Sequence, residues 1–114
     1  MHQQEMLKGN TDTLLLALLE NEAMYGYQIV KEVDERSSGY LAFKEGTLYP
    51  ALHRLEKAKL IEGRWEDTPN NVRRRYYLIT AKGQQALADR LSEWRHFIDA
   101  MDSIMRPRIS PEPQ

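Results

Sequence analysis

The chain has 114 residues, 41% of them apolar and 29% charged, with a formal net charge of −1. Those proportions fit one folded domain able to bury a core. The absence of cysteine excludes a disulfide scaffold, a thiolate zinc site and a cysteine nucleophile. The longest aliphatic run, Leu14 to Leu19, is far too short to span a bilayer. The start, Met1 to Lys8, has no secretory pattern, so a cytoplasmic protein with no membrane partner is expected.

Residues 1–10 form a polar arm with one apolar pair, Met6 and Leu7. Thr11 and Asp12 offer N-caps for a first helix to about Asn21, striped by Leu14, Leu15, Leu18 and Leu19. A polar break and Ala23-Met24-Tyr25-Gly26-Tyr27 lead into a second helix, with Ile29, Val30 and Val33 inside. Ser37-Ser38-Gly39 stops it, because glycine takes a positive φ without strain. Tyr40 to Phe43 reads as a short β-compatible connector.

Glu45 to Ile61 is the stretch around which the rest is organised. At about 100° per residue, Leu48, Ala51, Leu52, Leu55 and Ala58 share an apolar face. The opposite face carries Pro50, His53, Arg54 and Lys57, flanked by Thr47 and Tyr49, and Pro50 belongs in the first turn. Such a helix suits a DNA major groove, with its N-terminal residues nearest the base edges. Beyond it the period changes to two. Ile61 and Trp65 alternate with Glu62, Arg64 and Glu66, a turn follows at Asp67 to Asn71, and Arg73 to Ile79 returns. The hairpin's return strand opens with three always-charged arginines, Arg73, Arg74 and Arg75, too many to be neutralised by local acids. From Lys44 to Lys82 there are nine bases against five acids, whereas acids dominate from Thr11 to Arg36. The charge is polarised, and its distribution outweighs the near-zero sum.

Thr80 caps a last helix of about 25 residues, roughly 37 Å long. Its apolar residues Leu87, Leu91, Trp94, Ile98, Met101 and Met105 are spaced four, three, four, three, four. That heptad seam predicts a homodimer through this helix. Arg106-Pro107 ends it, and Pro107, Pro111 and Pro113 mark a disordered tail, 107–114.

Helix, helix, helix and hairpin describe an α+β, mostly α, fold: a winged helix-turn-helix over 1–80 with a long C-terminal dimerisation helix over 81–106. The third helix is the reader and the hairpin the wing, contributing base and phosphate contacts respectively. The strings YGY (25–27), EGTLYPALHRLE (45–56), RRRYYLIT (73–80) and AKG…EWRHFIDAM closely resemble the PadR family of bacterial transcriptional regulators, in its compact form with a single C-terminal helix. The resemblance implies a homodimeric repressor on a roughly palindromic operator, released when a small, often aromatic ligand binds. No cofactor is expected.

Matched position by position, it implies that Thr47, Tyr49, Pro50, His53 and Arg54 read DNA, beside Lys57 on the same basic face. It assigns Arg73, Arg74 and Arg75 to the wing. Tyr25 and Tyr27 lie near a backbone contact, although Tyr27 is equally readable as a core ring. Trp94 falls where certain short members bind planar compounds between paired tryptophans, with Phe97 beside it; simple packing on the seam is the alternative. An enzyme is disfavoured, for there is no phosphate loop, nucleophile elbow or metal-ligand cluster, and His96 with Asp99 supplies only two ligands. A winged-helix protein working solely through protein–protein contacts would be expected to lose its basic reader and wing. A MarR-like regulator fits the architecture but not the strings.

Overall fold

The computed structural model describes residues 9–107, so most of the expected N-terminal arm and most of the expected tail lie outside the described residues. Among the described residues, four helices surround one apolar core, and a small sheet is built onto their side. Helix α1 (Thr11–Leu18) buries Leu15, Leu16 and Leu18, and the next residue, Leu19, is buried as well. The N-cap is Asn10 and not Thr11 or Asp12; Thr11 is inside the first turn and buried. The helix also stops about three residues earlier than its leucine stripe suggests. The Glu20 amide bonds back only to Ala17, a tightened last turn that lets the chain reverse while Leu19 stays in the core.

Met24–Tyr25 is strand β1, a feature that the sequence pattern does not announce. It leads directly into α2 (Gly26–Arg36), which buries Ile29 and Val33 and ends before Gly39, at φ +80°. Residues 40–43 form no strand. Phe43 anchors this irregular connector in the core, and the Ser37 hydroxyl accepts from the Leu41 amide at 2.9 Å.

Helix α3 (Glu45–Lys57) sets Leu48, Ala51, Leu52 and Leu55 into the core, each at most 2% exposed. Ala58 departs from the expected apolar stripe: it is the C-cap and is exposed. Pro50 lies in the second turn and not the first, because the helix begins five residues ahead of it. Gly46, whose carbonyl Pro50 cannot bond, is exposed to water. Lys59 then takes φ +66° and the Leu60 amide reaches back to the Leu55 carbonyl at 2.9 Å, turning the chain into the sheet.

Strands β2 (Ile61–Asp67) and β3 (Arg73–Ile79) pair antiparallel from Ile61 opposite Ile79 to Asp67 opposite Arg73. The expected two-stranded hairpin is thus part of a three-stranded sheet, order β1-β3-β2, with Met24 opposite Tyr77 and Tyr25 opposite Tyr76. Ile61 and Tyr77 are buried, but Trp65 is 55% exposed: the ribbon leaves the core soon after it begins.

Helix α4 (Ala81–Met105) starts at Thr80, whose hydroxyl accepts from the Gly83 amide at 3.0 Å. It packs against α1 and β3 through its first turns only. Leu87 is 1% exposed and Leu91 lies against the core, while residues 92–107 are all exposed.

Candidate nucleic-acid interface

The core-facing residues of α3 fix what its other side presents. Tyr49, Pro50, His53, Arg54 and Lys57 are exposed in a row, with Thr47 partly covered at the N-terminal end. Two of these side chains are already held. Arg54 donates from Nη2 to Asp12 Oδ1 at 2.9 Å, an ion pair joining α3 to α1. Tyr49 lays its ring over Gly26, so closely that a Cβ there would collide with its hydroxyl. The glycine of YGY is therefore the seat of a tyrosine from the next helix.

The ribbon stands beside this helix and carries its arginines differently from one another. Arg73 reaches Asp67 at 3.5 Å, with both groups well exposed. Arg74 lies 4.3 Å from the centre of the Tyr25 ring, and Tyr25 in turn meets Tyr76 edge-on at 5.4 Å. Arg75 points back toward the helix and donates to Glu56, with about 30% of each side chain exposed. Tyr25 is thus a bridge between β1 and the wing, and its amide is bonded to Gln28 Oε1 at 3.0 Å. Tyr27 is 66% exposed and stacks on Tyr25 at 6.4 Å, which rules out the core-ring reading.

Between helix and ribbon runs an open groove of about 710 Å³, lined by Tyr49, His53, Glu56, Lys57, Arg75 and Tyr77. Burial pushes the Tyr77 phenol above its ordinary value of 10.0, against a smaller opposite pull from the Arg75 charge. A cationic helix face, a groove and an arginine-bearing ribbon form one continuous surface. Residues 15–89, the part that contains all of it, match the profile of the transcriptional regulator PadR-like family.

The chain belongs to that family. A protein of Lysinibacillus sphaericus, itself uncharacterised, is 32% identical over 105 residues, 92% of this chain and 96% of the relative. A transcriptional regulator from Clostridium thermocellum superposes with a TM-score of 0.81 at 30% identity, covering 90% of this chain and 99% of that one. A PadR family regulator from Clostridium difficile R20291 is 36% identical, with a TM-score of 0.76 over 85% of this chain and 99% of its own. The fold is also that of Bacillus subtilis PadR, solved in complex with operator DNA: TM-score 0.65, 23% identity, 91% of this chain and 51% of that protein. PadR-like proteins are regulators of transcription and not enzymes.

The residues expected at a dimer interface are divided by the structure. Leu87 is buried in the chain's own core, which corrects its assignment to the interface, and Leu91 packs against that core. Trp94, Ile98, Met101 and Met105 are between 36% and 68% exposed on the overhanging part of α4. Trp94 and Phe97 lie 5.8 Å apart, rings tilted by 33°. Ile104, at 80% exposure, extends the apolar surface and falls outside the heptad pattern because it sits one position off the seam. Among the described residues no helix is long and apolar enough to cross a membrane.

Proposed function

We propose that this chain is a sequence-specific DNA-binding repressor that acts as a homodimer. The observation that carries the reading is the side-by-side placement of the exposed basic face of α3 and the arginines of β3. Thr47, Tyr49 and Pro50 stand in the N-terminal half of the reader helix, the half that enters a groove first, with His53 about one turn further along. Lys57, Arg73 and Arg74 supply positive charge for the flanking phosphates. Arg54 must release Asp12 before its fork can reach guanine, so its contribution to base reading is set against that ion pair.

Two copies, joined through the overhanging half of α4, place two such surfaces on a roughly palindromic operator. A flat aromatic compound between the two Trp94 rings, flanked by Phe97, alters the spacing of the readers and releases the DNA. The exposure of both rings on the bare helix supports this ligand site.

Selection of bound sequences from a random duplex pool tests the reading. Arg73→Ala with Arg74→Ala is expected to weaken binding of the selected duplex. The same pair of changes should flatten the dependence of log K on log salt by about 0.9 for each phosphate no longer neutralised. An unchanged slope argues against wing–phosphate contact. Saturable quenching of Trp94 by planar aromatics, absent in Trp94→Ala with Trp65 retained, tests the ligand site.

A further inference from the structure

Of the three consecutive wing arginines, Arg75 is set apart by where its guanidinium lies. It is folded across the sheet surface onto Gly63, the residue opposite Tyr77 in the neighbouring strand. A Cβ built on Gly63 would stand 2.6 Å from Arg75 Cζ, so the absence of a side chain there makes the seat. Trp65 and Tyr77 flank the seat, with the guanidinium carbon 5.4 Å and 5.9 Å from their ring centres. The fourth side is Glu56, reaching over from the last turns of α3 to accept from Nη2. A planar, delocalised cation suits such a slot between rings, with a carboxylate at its edge.

From this we propose that Arg75 and Glu56 form a clamp that sets the wing's position against the reader helix, and that Arg75 is a positioning residue and not a phosphate contact. The inference rests on the DNA-binding reading for its consequence in affinity, but the clamp itself is a property of the free protein. Its job is geometric. The ribbon leaves the core at Ile61; β1 and the Tyr25 ring hold the β3 side to the body, but the Glu56–Arg75 pair is the ion pair that ties the ribbon directly to α3. The Glu56–Arg75 pair joins helix and ribbon further out, with Tyr77 buried beneath, so that Arg73 and Arg74 are held at one distance from Tyr49, His53 and Lys57.

Glu56 gives the sharpest separation of the two roles, since they predict opposite signs. If Arg75 touched phosphate, Glu56→Gln would remove a repelling charge, free the arginine and tighten binding. The clamp requires the same substitution to weaken it. Gly63→Ala separates them again without changing any charge: its methyl displaces only the flexible end of Arg75, in a strand that accepts alanine. Binding of a random-sequence duplex at low salt is measured for the wild type, Glu56→Gln, Gly63→Ala and Arg75→Lys. Hydrogen exchange of the β2 and β3 amides is followed in the same free proteins.

The clamp predicts that all three variants bind about threefold to tenfold more weakly, the range of a partly buried charge-assisted pair. Their wing amides exchange faster while those of α1 and α3 keep wild-type protection. Arg75→Lys, which keeps the charge but loses the planar fork, should fail to rescue either readout. Tighter binding by Glu56→Gln, or wild-type exchange in Gly63→Ala, overturns the clamp. If the wild type binds no duplex, the DNA-binding reading falls, and the exchange measurement alone still decides whether Arg75 holds the wing.

Discussion

Tyr77 lies where the core, the groove and the wing meet, and its environment has a measurable consequence. Buried at the margin of the core and beside the Glu56–Arg75 pair, its phenol resists ionisation, so its pKa is raised above 10.0, chiefly by desolvation. A group whose folded pKa is raised retains its stabilising contribution below its unfolded value and loses it as the pH rises through the folded one. We therefore expect the urea midpoint of the wild type to fall as the pH climbs past 10.0, and Tyr77→Phe to show a shallower fall over the same window. Parallel declines in the two proteins would place the alkaline loss of stability elsewhere. Single residues also mark where reading a sequence stops. Glu56 and Arg75 are 19 positions apart, and Asp12 and Arg54 are 42 apart. Neither separation falls on a helical or strand repeat, so the partners of two arginines assigned to DNA become visible only once the chain has folded.

At the scale of elements, Thr80 has two tasks. Its hydroxyl accepts from Gly83 as the α4 cap and donates to the Lys59 carbonyl at 2.7 Å, joining the start of α4 to the end of α3. Thr80→Ala removes both bonds and is expected to lower stability by about 1–2 kcal/mol, the upper part of the range for a lost cap. Equilibrium denaturation measures this, and Thr80→Ser should recover most of it. The helices and the ribbon were legible because each repeats its pattern several times: Leu48, Leu52 and Leu55 at helical spacing, Glu62, Arg64 and Glu66 at a spacing of two. Strand β1 was not, since two residues cannot display a period and Met24-Tyr25 is a strand by virtue of its pairing with the distant β3. The same limit moved the ends of α1 and the place of Pro50. Helix boundaries follow from where the backbone's last bonds go, and neither Asn10 nor Lys44 announces its cap by a side-chain capping hydrogen bond.

For the whole molecule, the decisive contrast lies along α4. One end is locked by Leu87, and the other carries Trp94, Phe97, Ile98, Ile104 and Met105 in the open. Such a surface on a lone chain is unfavourable in water. It supports the homodimer proposed above. Ile98→Asp tests assembly better than a change at Leu91, which also touches the core. We expect Ile98→Asp to keep its helical circular dichroism while sedimenting as a monomer at micromolar concentration, where the wild type runs as a dimer. A monomeric wild type would refute the proposal. The heptad spacing identified this overhang but overran it at Leu87, because spacing alone does not say which stretch of a long helix the domain uses for itself.

The strand order carries one last consequence. β2 runs along the whole of one side of β3, whereas the two residues of β1 cover only Tyr76 and Tyr77 on the other, so the projecting ribbon has two free margins, β2 and the Arg73–Arg75 end of β3. Those margins bear Glu62, Arg64, Glu66 and Asp67 on β2 and Arg73, Arg74 and Arg75 on β3, rows of charge that an approaching extended chain would have to strip of water. A ribbon that projects from the body would otherwise be a template for fibre growth. Here its outer border discourages strand-by-strand stacking, so the wing can stay solitary even when many copies crowd together.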